Sequence, residues 1–196
     1  MQPEGNYYNK YESQNIVEKR IMNGFFKSIN NCLGDIKFNT VLEAGCGEGK
    51  VTNYIKEYYN CQIEGFDIGA NAIKKAQKDF REIQFCVKSI YDAGYEDNSF
   101  DLVLCCEVLE HLEEYDRAME ELLRISNKYV LISVPCEPLW RILNMCRFKY
   151  IKDLGNTPGH INHWSKAAFI NFLKRYGKIM KVESPLPWTM VLLEKQ

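Results

Sequence analysis

The stretch Val41-Leu42-Glu43-Ala44-Gly45-Cys46-Gly47-Glu48-Gly49-Lys50-Val51-Thr52 constrains this chain more than any other. Three glycines stand at every second position between an apolar run and an amphipathic one. That layout predicts a strand, a tight turn and the start of a helix. Glycine tolerates positive φ and lacks a Cβ, so a ligand can lie almost on the backbone. The helix start offers N–H groups that have no intrahelical partner to an electron-rich group. Glu43 precedes the first glycine by two positions, and Asp67 ends the next apolar run. An acid at the second strand end can hold both hydroxyls of a ribose. The segment therefore reads as a site for a nucleoside cofactor.

Spacing narrows the choice of cofactor. A dinucleotide fingerprint wants a further Gly or Ala later in the turn, where helix and strand pack closely. Lys50 stands at that position. A phosphate-binding P-loop needs Gly-Lys followed by Ser or Thr. Here Gly49-Lys50 is followed by Val51, so that reading fails. A carboxylate just before the turn, Glu43, suits a cationic ligand better than a pyrophosphate. S-adenosylmethionine carries an ammonium, a sulfonium and a ribose, and no phosphate.

Three motifs in order carry a resemblance. They are Glu43 to Gly49, Gly65-Phe66-Asp67-Ile68, and Asp97 to Leu112 with Glu107-Val108-Leu109-Glu110-His111 inside it. Together they resemble class I S-adenosylmethionine-dependent methyltransferases, and within them the small type 11 methyltransferase domain, from about Phe38 to Pro135. The resemblance implies methyl transfer to a small-molecule acceptor, with S-adenosylhomocysteine as product. It also implies a strand order of 3-2-1-4-5-7-6, which periodicity alone does not supply. Two other readings stay open: a methyltransferase acting on tRNA or protein, and a non-catalytic module that binds the cofactor.

At 196 residues one domain is expected. Within it, 1–34 reads as an arm and helix and 35–135 as the cofactor-binding core. The stretch 136–164 reads as an acceptor-side insertion or lid, and 165–196 as a last helix and β-hairpin. A net charge of −1 argues against bulk attraction to a nucleic-acid backbone, so no nucleic-acid partner is expected. The eight cysteines include no Cys-x-x-Cys pair, which argues against a zinc ribbon. The polar start lacks the pattern of a secretory signal, and no apolar run is long enough to cross a bilayer. The expectation is a cytoplasmic protein with no stable membrane insertion; the sequence does not indicate an oligomeric state.

Strand-like and helix-like runs alternate. Helical spacing covers Ser13 to Cys32, Gly49 to about Tyr59, Ala70 to about Asp79, Tyr115 to Ile125, and the stretch after Ser165 to about Tyr176. Strands are expected at 40–44, 62–66, 83–87, 101–106, 129–134, 179–183 and 189–193. Pro185 and Pro187 join the last two too tightly for a helical crossover, so they should be antiparallel. The class is α/β: a Rossmann-like, seven-stranded, mostly parallel sheet with its last strand antiparallel and helices on both faces. Tyr7, Tyr8 and Tyr11 suggest a loose arm or a lid.

Ligands in such sheets sit past the carboxyl ends of the strands. Gly45, Gly47 and Gly49 let backbone approach the cofactor's methionine part, with Cys46 contributing main chain. Glu43 either faces the cofactor's cationic end or caps the turn's own N–H groups. Asp67 is the candidate for the ribose hydroxyls. The resemblance places Ile68 against adenine, Ser89 and Ile90 beside it, and Glu107 near the transferable methyl. Ser89 departs from the Asp usual there.

His111 follows Glu107 by one helical turn, so the two would share a face if this segment is helical. It serves either as a general base or as a structural histidine at a helix start. His160 and His163 lie three apart before the last helix, with no adjacent Cys or carboxylate, so no metal is expected. The resemblance favours acceptor binding for His160 and His163, with Trp164 as pocket wall, and the catalytic candidates for a general base are His111 and His160. Cys136 follows the fifth expected strand, not the fourth, which argues against a nucleophile. Apolar and basic residues interleave from Cys136 to Lys152 over about four turns. That is either a lid for an anionic or lipid-like acceptor, or a packed insertion that buries Trp140, Leu143 and Phe148.

Overall fold

The computed structural model describes residues 15–196. The aromatic arm with Tyr7, Tyr8 and Tyr11 lies outside the described residues. In chain order the elements are α1 (Ile16–Leu33), β1 (Thr40–Ala44), α2 (Lys50–Tyr58), β2 (Gln62–Asp67), α3 (Ala70–Asp79) and β3 (Gln84–Val87). Then follow β4 (Phe100–Cys106), α4 (Tyr115–Ile125), β5 (Ser126–Pro135), α5 (Leu139–Cys146), α6 (Lys166–Leu173), β6 (Lys178–Glu183) and β7 (Trp188–Glu194). One seven-stranded sheet runs β3-β2-β1-β4-β5-β7-β6. β7 is antiparallel to both its neighbours, and every other pair is parallel.

Both faces of the sheet are covered, which is why its central strands read as unbroken apolar runs. Leu102, Val103, Leu104 and Cys105 are each fully buried. On one face α1 and α2 press Phe25, Ile29 and Ile55 onto Val41, Leu104 and Leu131. On the other, α4 and α6 press Met119, Leu122 and Phe169 onto Val103, Val130 and Ile132. Two helices begin at side-chain caps: Asn15 accepts from Val17 N at 2.9 Å, and Ser165 accepts from Ala168 N at 3.3 Å. At the amino ends of the strands, Asp101 accepts from Asn39 N and Thr40 N, and its own N–H donates to Thr40 Oγ1. These bonds hold the Asp101 carboxyl below its ordinary pKa and set the register of β1 on β4.

The chain winds outward from β1 to β3, then returns to place β4 on the other side of β1. The strand order reverses between β1 and β4, and that opens a crevice at their carboxyl ends. Gly45 and Glu107 start the loops on its two sides. No helix among the described residues is long and apolar enough to cross a membrane.

The segment between β5 and α6 differs from the four-turn helix expected there. α5 has eight residues and ends because Phe148 turns left-handed at φ 55°. That turn sends the Phe148 ring into solvent, 84% exposed, so Phe148 does not pack on the body. Trp140 does pack, against Trp188. Asn144 is buried and donates to Gly155 O and Thr157 Oγ1. Arg147 pairs with Glu18 of α1 at 2.5 Å. A parallel bridge between Cys136 and Trp164 closes the base of the insertion.

Candidate active site

The loop after β1 is built from main-chain constraints. Gly45, Gly47 and Gly49 all have positive φ, at 75°, 52° and 76°. A Cβ on Gly49 would stand 2.6 Å from Phe85 Cζ, and one on Gly45 would stand 2.3 Å from Val108 Cγ2. Both positions therefore require glycine for space as well as for conformation. Gly45 N and Cys46 N donate to Phe66 O at 2.8 and 2.9 Å, which ties the loop to the end of β2. α2 then starts from left-handed Gly49 with no side-chain cap.

Asp67 fastens the same loop from below. Its Oδ2 accepts from Gly47 N at 2.9 Å, and its Oδ1 accepts from Gly69 N at 2.7 Å. Each oxygen retains acceptor capacity for one more donor. Ile68 beside it is half exposed, at 50%, and offers a flat apolar surface at the strand end. Cys46 is buried, and burial drives its thiol far above the ordinary value, so it presents main chain and no thiolate.

Glu43 sits beneath the loop, 3% exposed, with Thr52 of α2 donating its hydroxyl to Oε2. Burial pushes its carboxyl up to about 8, against the lowering effect of the Thr52 bonds. Glu43 thus joins the carboxyl end of β1 to the first turn of α2. Ser89 accepts from Tyr91 N at 3.2 Å, and Ile90 is buried in the core under α4.

The loop after β4 departs from the helical expectation. Glu107 has φ 61°, and only Leu109–His111 form a short 3-10 turn. Glu107 and His111 therefore do not share a helical face. The Glu107 carboxylate turns toward the sheet, where Ser133 Oγ donates at 3.1 Å and the Trp188 indole N–H donates to Oε2. His111 turns the other way and meets the insertion. Its Nδ1 lies 2.9 Å from Gly159 O, and its ring stands edge-on to His160 with centroids 4.8 Å apart. A carbonyl can only accept, so Nδ1 carries the proton of this bond.

His160 is 8% exposed and stacks on Trp140 at 5.7 Å, while Trp140 Nε1 donates to Thr157 Oγ1 at 2.9 Å. His163 does not join this pair. It faces Glu137 at 3.7 Å, and burial raises the Glu137 carboxyl above its ordinary value. Trp164 packs against Tyr115 and Phe169 in the core. Cys136 is half-buried, and all eight cysteines are free thiols.

Three residues that sequence reasoning passed over belong to this region. Thr52 lies one turn into α2, where a hydroxyl under the glycine loop is the available signal. Trp188 starts β7 and reaches Glu107 across β5, a contact that no local pattern encodes. Glu110, 1% exposed, stands with His111 and His160 in one cluster. Glu110 and His160 are remote from each other in the chain, so no local pattern pairs them.

Comparison with known proteins agrees with the geometry. Residues 42–131 match the family described as methyltransferase domain. An uncharacterized protein of Methanocaldococcus jannaschii is 39% identical over 95 residues, covering 48% of this chain and 39% of that protein. Norajmaline N-methyltransferase of Rauvolfia serpentina is 29% identical over 96 residues, covering 46% of this chain and 33% of that protein. The chain thus spans well under half the length of these curated relatives. Among solved structures, a Pyrococcus horikoshii protein superposes with a TM-score of 0.75 at 17% identity, covering 97% of this chain and 95% of the other. Magnesium protoporphyrin IX methyltransferase of Synechocystis, solved with SAH bound, superposes with a TM-score of 0.68 at 19% identity, over 94% and 89% of the two chains. These likenesses establish the fold.

Proposed function

We propose that this chain, whose residues 42–131 belong to the methyltransferase domain family, transfers the methyl group of S-adenosylmethionine to a small organic acceptor. The observation that carries the reading is the glycine loop, left-handed at Gly45, Gly47 and Gly49 and tied by Gly47 N to Asp67 at the end of β2. Asp67 accepts the ribose hydroxyls on its remaining lone pairs, and Ile68 covers one face of the adenine. Ser89 lies at the base edge. Glu43 ionises when the cofactor's ammonium approaches, because a nearby positive charge offsets the cost of burial. Glu107 is anchored by Ser133 and Trp188 and lines the donor side.

The acceptor's lone pair forms a bond to the methyl carbon as the sulfur–methyl bond breaks. The bond electrons return to sulfur, which leaves as the neutral thioether of S-adenosylhomocysteine. The rate comes chiefly from holding donor and acceptor in line. In the metal-free chain the lone pair of His111 receives the acceptor's proton, and His160 shapes the acceptor side. Exposed Ile142, Met145 and Phe148 on the insertion support an acceptor with an apolar, lipid-like body.

Calorimetric titration of the purified chain tests the cofactor. S-adenosylhomocysteine should bind with 1:1 stoichiometry and NAD should give no heat; the reverse result rejects the reading. Incubation with methyl-labelled cofactor and a whole-cell extract, fractionated into small metabolites, RNA and protein and read by mass spectrometry, then identifies the acceptor. Label found only in RNA or protein would reject a small-molecule acceptor.

A further inference from the structure

We propose that Glu110, His111 and His160 form a binding site for one divalent transition-metal cation of the zinc or manganese kind. Each residue offers one ligand atom, and these atoms lie within 4.8 Å of one another. Ligands of a tetrahedral zinc stand about 3.4 Å apart, so side-chain rotation closing the cluster by up to about 1.4 Å brings three of the four ligands into place. Two imidazoles and one carboxylate suit zinc, iron or manganese better than magnesium or calcium, which favour all-oxygen sites.

The cluster is held by bonds around it. Ile161 N and Asn162 N both donate to the Glu110 carbonyl oxygen, at 2.9 and 3.1 Å. Asn162 Nδ2 donates to Leu109 O at 3.0 Å and Leu112 O at 2.6 Å. These four bonds clamp the backbone beside His160 onto the turn that carries Glu110 and His111. The Nδ1–H of His111 donates to Gly159 O, and that fixes the tautomer whose Nε2 can take a metal. This is the outer-shell arrangement that metal-bound histidines use. The His160 ring lies beside Trp140, with centroids 5.7 Å apart and planes 27° from parallel.

Burial sets the environment of the cluster: Glu110 is 1% exposed and His160 8%. A cation held among ligands so far from water is attracted to a carboxylate more strongly than one at the surface. Three protein ligands leave a position for water or for an acceptor oxygen. A cation there lowers the pKa of a bound hydroxyl and so takes over the activation that the His111 lone pair provides in the metal-free chain. The site itself is defined by metal binding and does not rest on the methyl-transfer reading.

The full chain, stripped with chelator and dialysed, is titrated with Mn²⁺ followed by paramagnetic resonance, and with Zn²⁺ against a chromophoric chelator. Mn²⁺ discriminates against the free cysteines, because thiolates prefer softer metals. Uptake of one equivalent is expected, weakened at least about 100-fold in Glu110→Gln and in His160→Gln. S-adenosylhomocysteine titration and thermal unfolding of the metal-free proteins show that the variants are folded. A wild-type chain that binds S-adenosylhomocysteine but takes up neither metal overturns the proposal. So does uptake unchanged in the Glu110→Gln, His160→Gln double variant. Metal uptake that follows these variants in a chain blind to S-adenosylhomocysteine upholds the site and rejects the methyl-transfer reading alone.

Discussion

The glycine loop after β1 and the insertion between β5 and α6 border the same crevice, but they are built on opposite principles. In the loop every left-handed residue is glycine, and the ligand-facing surface is main chain. In the insertion three residues with side chains, Phe148, Tyr150 and Leu154, take φ between 50° and 55°. Each such residue costs about 1–2 kcal/mol relative to its ordinary conformation. There the surface is made of rings and carboxylates brought from distant segments. A cofactor common to many enzymes can be read by backbone, which sequence drift leaves alone. An acceptor particular to one enzyme must be read by side chains, and those are free to vary.

The largest effect should come from breaking the backbone side. Gly49→Val adds a side chain where φ is 76° and Phe85 occupies the space. It should cost about 4 kcal/mol in urea unfolding and abolish S-adenosylhomocysteine binding. Wild-type stability would mean that the loop is not backbone-limited after all. Asp67→Ala comes next. It should weaken S-adenosylhomocysteine at least about 100-fold, about 2.7 kcal/mol, while unfolding shifts by only about 1 kcal/mol. Equal losses in both measurements would make Asp67 a loop brace without a ligand role.

Glu43 sharpens the comparison through pH. Its folded carboxyl stands at about 8, above the ordinary 4.5. Between those values the folded state keeps a proton that the unfolded state gives up. The stability contributed by the neutral carboxyl is fully present below 4.5 and is lost as pH rises through about 8. Thermal melts from pH 5 to 8 should therefore fall more steeply in the wild type than in Glu43→Gln. Calorimetry at pH 7 in buffers of differing ionisation heat should show proton release on S-adenosylmethionine binding, absent in the variant. The smallest effect should come from the insertion. Phe148→Gly removes an exposed ring from a left-handed position and should stabilise the fold by about 1 kcal/mol.

The same contrast decides what was legible in the sequence. The sheet could be read because β4 is apolar throughout and the glycines of the loop are local signals. The strand order came with the family resemblance, and the sheet has it. α5 is shorter than its amphipathic pattern, which runs on past Cys146, because the residue that turns left-handed after it is Phe148 and not a glycine, the usual stop signal. Glu107 and His111 share a face only where their segment is helical, and nothing in Glu107-Val108-Leu109-Glu110-His111 announces a left-handed first residue. The meeting of Glu110 with His160, and of Glu107 with Trp188, depends on how three remote segments dock, and periodicity carries no record of that.

The Arg147–Glu18 contact joins the insertion to the first helix of the chain. That pair ties the two pieces together along one edge of the fold. Glu18→Gln, which leaves the core contacts of Phe25 and Ile29 in place, would loosen the insertion at a point far from its own ends in the chain.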